Sequence, residues 1–362
     1  MLSSLETSVI FPVITVFYLL IFFAYYRKIS RPLPDSTEWV NMAVCKPSLT
    51  FMMARHPMER KDIAPLLIIL AVFSFLAFFQ LGAREAPESF FQFTREQRAI
   101  IIELDEPEEI GSLMFYTGLW TGHYTLEFSP DGIQWLRQMS PDDRAVAEGG
   151  MRQPGHVYAM DQPFAHVFKW RHAYLNWDNP PVKFIRITSS TVPMELGEIA
   201  LFSADGALIP ASRISSPDAP ELFDEQRLIP ERPTYMNSMY FDEIYHGRAG
   251  YEYLRGVPPF ETTHPPLGKV FIALSIHVFG MNPFGWRFIG ALFGVLMLLI
   301  LYVFIKNMFG KTMVATCGTL LFGFDFMRFV QTRIATIDTY AVLFCIINNA
   351  LCKGDVFLKW KA

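Results

Sequence analysis

Hydrophobic positions in this chain are bunched, not spread. Val9 to Tyr26, Ile63 to Phe79 and Phe288 to Ile305 carry no charge, and each approaches the ~20 residues that a membrane-crossing helix needs. They predict membrane helices. Met313 to Val330 and Ile334 to Cys352 are also apolar, but Asp325, Arg328, Asp338, Asn348 and Asn349 interrupt them. These predict spans with polarity inside. Between Arg98 and Phe202 the long runs give way to short alternating ones: Ala99 to Leu104, Ser112 to Tyr116, His123 to Phe128, Val167 to Trp170, Phe184 to Thr188 and Glu198 to Phe202. They are rich in Ile, Phe, Tyr, Val and Thr and predict strands. Turn signals separate them at Glu106-Pro107, Ser129 to Gly132, Asn179 to Pro181 and Asp205-Gly206. Short strands at this spacing predict an antiparallel β-sandwich. Ser203 to Pro233 has no clear period and is expected to be a linker, with Asp224-Glu225 as solvated acids. Lys269 to Gly280 is apolar but short for a span, which predicts an amphipathic helix at the membrane surface.

Charge then sets an orientation. Arg27, Lys28 and Arg31 follow the first run, Arg55, Arg60 and Lys61 precede the second, Lys306 and Lys311 follow the third, and Lys353, Lys359 and Lys361 follow the last. With basic loops inside, all of these face the cytoplasm if the runs alternate. The N-terminus and everything from Gln80 to about Arg287 then lie outside. The first run has only Glu6 before it and no basic leader, so an uncleaved anchor is expected. The division that follows is a membrane helix at 1–26, a cytoplasmic loop at 27–62, a membrane helix at 63–82, an extracytoplasmic β-sandwich at 83–210, a linker at 211–239 and a helical core at 240–362. Cys45, Cys317, Cys345 and Cys352 all fall in predicted spans or cytoplasmic segments, so no disulfide framework is implied. The net charge is −4, and no basic patch points to nucleic acid.

The chemistry concentrates in Phe241 to Lys269. Asp242, Glu243, His246, Arg248, Glu252, Arg255, Glu261, His264 and Lys269 crowd there, interrupted by Pro258-Pro259 and Pro265-Pro266. Charges beside hydrocarbon are expensive and line polar cavities or handle charged substrates. Plainer roles stand beside that one. Asp242 and Glu243 suit the first turn of a helix, and Arg333 with Asp338 suit an ion pair. His246 and His264 could join the acids at a metal, although the spacing fits no structural zinc pattern and no metal is expected.

Four motifs in order, FDEIYHGRAGYE from Phe241, THPPLGK from Thr263, Trp286-Arg287 and QTRIATIDTY from Gln331, resemble the protein O-mannosyltransferase family. The match runs from about Tyr240 to Phe344. The resemblance implies a multi-pass α-helical membrane protein of the GT-C type, here its N-terminal part, in the cell membrane with the active-site loop outside. It implies transfer of a hexose, mannose, from a polyprenyl-phosphate donor to a hydroxyl of an exported protein or an envelope glycan, with no cofactor beyond the lipid-linked sugar phosphate. Such a transfer needs a base for the hydroxyl proton and cations for the leaving phosphate. Asp242 is the expected base, with Glu243 orienting the acceptor or supporting it. Arg333 is the expected phosphate ligand, with Lys269 and Arg287 as further candidates, and His246, His264 and Asp338 shape the site. Family members carry one span before the acid pair and many after the Arg-Asp motif. A chain with two earlier runs and few later ones is expected to be a fragment with little activity alone. A transferase moving an aminopentose onto lipid is the alternative within the class, and a non-catalytic glycan receptor the alternative outside it.

Tyr124 to Trp135 and Val182 to Phe202 resemble discoidin-like, galactose-binding-like domains. That resemblance implies an inserted jelly roll whose aromatics Trp120, Trp170, Tyr174 and Trp177 bind sugar or, more plainly, pack the sandwich.

Overall fold

The computed structural model describes residues 56–137, 159–162, 167–175 and 180–355. The Val9 to Tyr26 run, most of the expected cytoplasmic loop and Trp177 lie outside those residues. Two compact units divide the chain. One comprises Met1–Val72, Leu298–Phe329 and Cys352–Ala362, and the other Phe73–Met297 and Val330–Leu351. Helix α1 is Arg60–Phe78, α2 Glu243–Leu254, α3 Pro266–Phe279, α4 Pro283–Phe309, α5 Thr312–Gly323, α6 Phe326–Thr332 and α7 Asp338–Asp355. Among the described residues, α1 and α4 are long and apolar enough to cross a membrane. The expected span at 313–330 is broken instead, because α5 and α6 meet at a 65° bend. Asp325 makes the break by accepting the Arg328 backbone N–H at 2.7 Å and so starting a new helix. α3, at 14 residues, is too short to cross.

Within the first unit the last turn of α4 and the start of α1 share an ion cluster. Lys306 is fully buried and donates to Glu59 at 2.9 Å and to Asp62 at 3.1 Å. Counted above as a loop charge, Lys306 is therefore a packing group, while Lys311, just before α5, is exposed.

The second unit holds two antiparallel sheets. The first runs β1 (Phe91–Phe93), β9 (Met194–Ser203), β3 (Ile110–Thr117), β7 (Trp170–Tyr174). The second runs β10 (Ile214–Ser215), β2 (Ala99–Glu108), β8 (Val182–Ser189), β4 (Gly122–Ser129), β5 (Leu136–Arg137), with β6 (Ala159–Gln162) also on β4. Alternate residues of both sheets close one core: Leu113, Phe115, Leu196 and Leu201 meet Ile100, Ile102, Leu126, Phe128, Ile185 and Ile187. β2 runs through the expected turn at Glu106-Pro107, which is taken up as a register shift between Glu103 and Glu108. Pro107 cannot donate to a ladder, and an irregular stretch removes the need. The hairpin at Ser129 does turn where expected, held by Asp131 accepting the backbone N–H of Ile133 and Gln134.

The segment 211–239 is not a loose linker. It contributes β10, and Ala219 and Leu222 fill the sandwich core. Asp224-Glu225 is not a free solvated pair either, because Glu225 accepts the backbone N–H of Glu88 and Ser89 and donates its own to buried Glu198. Burial pushes the Glu198 carboxyl up to about 7, against the hydrogen bonds from Gln226 and the Glu225 backbone. Glu198, Asp224 and Glu225 are the described residues that come within metal-ligating reach of one another. Glu198 already accepts the Glu225 backbone N–H and the Gln226 amide.

The outer face of the first sheet is also apolar, which explains why β3 and β9 are buried on both sides. Met114, Tyr116, Trp170 and Ala200 form a second cluster with Met239, Ile244 of α2, Ile272 and Ile276 of α3, Trp286 of α4 and Tyr340 of α7. The sandwich is thus packed on the helices that carry the acidic motif. Trp170 is 3% exposed and lies 5.3 Å from the Tyr116 ring, so it packs and has no face for sugar. Trp120 is partly buried against the same cluster. Replacing Trp170 with Ala should lower stability by about 3–5 kcal/mol, read as a lower melting temperature in detergent. An unchanged melting curve would return Trp170 to a surface role.

Candidate active site

Helix α2 begins at the acid pair, and the two acids divide. Phe241, just before them, has φ +50°, a left-handed conformation that costs a bulky residue of order 1–3 kcal/mol. The turn is held because Glu243 accepts the Tyr240 backbone N–H at 2.8 Å. Glu243 is fully buried, and its carboxylate receives Arg287 through Nε at 2.6 Å and Nη2 at 2.7 Å. It also accepts the backbone N–H of Ala335, in the turn before α7, at 3.1 Å. Arg287 donates further to the carbonyls of Leu81, Tyr235 and Ser238. Neither group reaches solvent. Both are committed to a buried bidentate pair, which leaves Glu243 the expected role of supporting Asp242 and not that of orienting an acceptor, and does not present Arg287 to a phosphate.

Asp242 is the opposite case. It is half-buried and its side chain makes no capping hydrogen bond to α2, so the plainer capping role does not hold. Burial raises its proton affinity above the ordinary carboxylate value, the Asp338 charge raises it further, and His264 pulls it down. Asp242, Asp338 and His264 thus lie within electrostatic reach of one another. His246, one turn into α2, is buried, and its ring meets the His264 ring edge-on at 5.3 Å.

The Thr263 to Lys269 motif closes the other side. Pro265 and Pro266 start α3 at the position where a missing N–H costs nothing. Glu261 accepts the Thr263 N–H at 2.8 Å, the His264 N–H at 3.2 Å and the His264 ring at 3.0 Å, and it pairs with Lys269. Lys269 is 1% exposed and also donates to the Glu261 and His264 carbonyls. Its expected role at phosphate is corrected likewise, because a sealed ammonium with these partners locks the turn. Gly268 is obligatory, since a Cβ there would sit 2.8 Å from Tyr340 and 2.9 Å from Ile337. That close approach seats α3 against α7. Arg333 donates to the carbonyls of Leu76, Phe79 and Gln80 at the end of α1, where a cation meets unsatisfied carbonyls. It is half-buried, where Glu243, Arg287 and Lys269 are sealed.

Glu261 and Ser238 were missed as functional supports. Ser238 accepts the Trp170 backbone N–H at 3.1 Å and, with Met239 donating to the Phe168 carbonyl, fixes the chain that leads into Asp242. Only the run of acids around the two Pro pairs hinted at Glu261. Nothing in the sequence marked Ser238.

Residues 263–351 match the family model described as dolichyl-phosphate-mannose-protein mannosyltransferase. Similar proteins named polyprenol-phosphate-mannose–protein mannosyltransferase occur in three organisms. The Mycolicibacterium smegmatis protein is 32% identical over 129 residues, 34% of this chain and 25% of that protein. The Mycobacterium tuberculosis protein is 36% identical over 83 residues, 23% and 16% of the two. The Corynebacterium glutamicum protein is 36% identical over 81 residues, 22% and 16%. The chain thus matches a quarter or less of the length of these curated relatives. Among solved structures, a Clostridium perfringens chain described as CpGH89CBM32-6 has a TM-score of 0.22 at 12% identity, covering 34% of this chain and 82% of that one. At that score it lends no weight to the expected galactose-binding-like fold.

Two measurements test the scaffold. Glu243→Gln leaves the Arg287 charge buried without its partner, so stability should fall by about 3–5 kcal/mol in detergent melting. An unchanged melting temperature would refute the buried pair. The hydrogen bonds from Lys269, Thr263 and His264 outweigh burial and hold the Glu261 carboxyl well below the ordinary range. A depressed pKa contributes stability above the unfolded value of about 4.3 and loses it as pH falls through the folded value. Glu261→Gln should therefore melt lower than the native protein at neutral pH, with the gap closing on acidification.

Proposed function

We propose that this chain is part of a protein of the dolichyl-phosphate-mannose-protein mannosyltransferase family, whose model residues 263–351 match, and that the whole protein transfers mannose from a polyprenyl-phosphate donor to a hydroxyl of an exported protein. The single observation that carries the site assignment is Asp242. Its carboxylate is left unused by the helix it precedes, while its neighbour Glu243 is locked to Arg287. In this reading Asp242 takes the acceptor's hydroxyl proton as that oxygen attacks the anomeric carbon. The bond from that carbon to the phosphate oxygen breaks, and the lipid phosphate leaves with the electron pair. Attack from the face opposite the leaving group inverts the centre. Arg333, which is half-buried where Lys269 and Arg287 are sealed, would meet the phosphate through its planar guanidinium. The basic residues flanking the apolar helices favour placing this chemistry on the extracytoplasmic side of the cell membrane.

Asp242→Asn in the full-length protein should reduce transfer by about 10²–10⁴-fold with the melting temperature retained, measured with polyprenyl-phosphate mannose and a Ser/Thr peptide in membranes. Retained transfer would remove Asp242 from the chemistry. The base works deprotonated, so the rate should fall as pH drops through a pKa lying above the ordinary Asp value of about 3.9. Asp338→Asn removes a neighbouring negative charge and should move that acid limb to lower pH. A limb that stays in place would contradict that electrostatic reach.

A further inference from the structure

His246 is used by nothing described so far. It is 5% exposed. Among the described residues no hydrogen bond reaches its ring, and Nδ1 is sealed from solvent without a partner. A sealed nitrogen lone pair is tolerated better than a sealed N–H, so the ring proton belongs on Nε2, the nitrogen that is not sealed. Burial pushes the ring's pKa down to about 4, so the imidazole is neutral. The charged groups around it are Glu261 and Lys269, which neutralise each other, His264, whose ring meets it edge-on, and Asp338 at the start of α7.

A neutral N–H donor one turn along α2 from Asp242, with both groups feeling the Asp338 charge, selects its ligand. An anionic phosphate would face two carboxylates there, with Lys269 and Arg287 already committed. A hydroxyl accepts from the imidazole and donates to a carboxylate, satisfying both. We propose that His246 belongs to the hexose subsite, with Nε2–H donating to one ring hydroxyl of the transferred sugar while that hydroxyl donates to Asp338. The inference rests on the transferase reading above and adds the residue that reads the sugar.

The test compares kcat/KM of the full-length protein in membranes for polyprenyl-phosphate mannose and for its 2-, 4- and 6-deoxy analogues. In the native protein one deoxy donor should lose on the order of ten- to a hundred-fold, the effect of stranding a buried polar group. In His246→Phe that penalty should shrink for that donor alone to what the hydroxyl's bond to Asp338 contributes, while mannose itself slows. His246→Gln, whose amide nitrogen reaches the Nε2 position, should keep the penalty, and His246→Asn, which mimics Nδ1, should shrink it as Phe does. Penalties that persist unchanged in His246→Phe overturn the inference. So does equal behaviour of Gln and Asn, a comparison that still decides if the Phe variant fails to fold. No transfer from intact donor by the native protein would instead overturn the transferase reading, and the sugar subsite with it.

Discussion

The second unit depends on one buried ion pair. Glu243 and Arg287 are 0% and 3% exposed, and between them they hold the start of α2, the first turn of α4, the Leu81 and Tyr235 carbonyls and the Ala335 backbone. Burying two charges is unfavourable unless geometry and further hydrogen bonds compensate, and here almost every donor and acceptor is used. The consequence is geometric. With Glu243 fixed, the Asp242 side chain makes no capping hydrogen bond to α2 and stays half-buried, within the electrostatic reach of Asp338 and His264. A second buried pair, Glu261 with Lys269, does the same for the opposite wall by locking the turn that carries His264.

The sandwich is part of this machinery and not an appendage to it. Its first sheet is apolar on both faces, one closing the sandwich and the other packing on α2, α3, α4 and α7. Two polar ties reinforce the contact. Arg255 at the end of α2 pairs with buried Glu195 of β9 at 3.3 Å, and Ser238 takes the Trp170 N–H four residues before Asp242. Of the aromatics considered for sugar, Trp170 is sealed against the helices, while Tyr174 at the end of β7 is exposed.

Elements with a single period were legible in the sequence. β2, β4 and β8 alternate, α1 and α4 are uniformly apolar, and both were found within a few residues. What escaped were places where tertiary contacts overrule a local signal. Asp325 breaks an apolar run that composition alone reads as one span. Pro107 looks like a turn but sits in an irregular strand. Ala219 and Leu222, lost among prolines and acids, are core residues. At the site the motifs picked out residues that the fold gathers in one unit but not which of them are sealed, because a sequence cannot say which of two adjacent carboxylates is buried. Lys269 and Arg287 were expected at phosphate for their charge, and burial gave them to Glu261 and Glu243 instead.

The central claim is that the acid pair and the start of α7 share one mouth because Glu243 and Arg287 lock them together. Cysteines placed at positions 242 and 338, in a chain otherwise free of reactive thiols, test it through a short bifunctional thiol reagent applied to intact membranes. The account predicts an efficient intramolecular cross-link that is lost when Arg287 is replaced by Met. Absence of the cross-link in the otherwise native chain, or its indifference to Arg287, would contradict it.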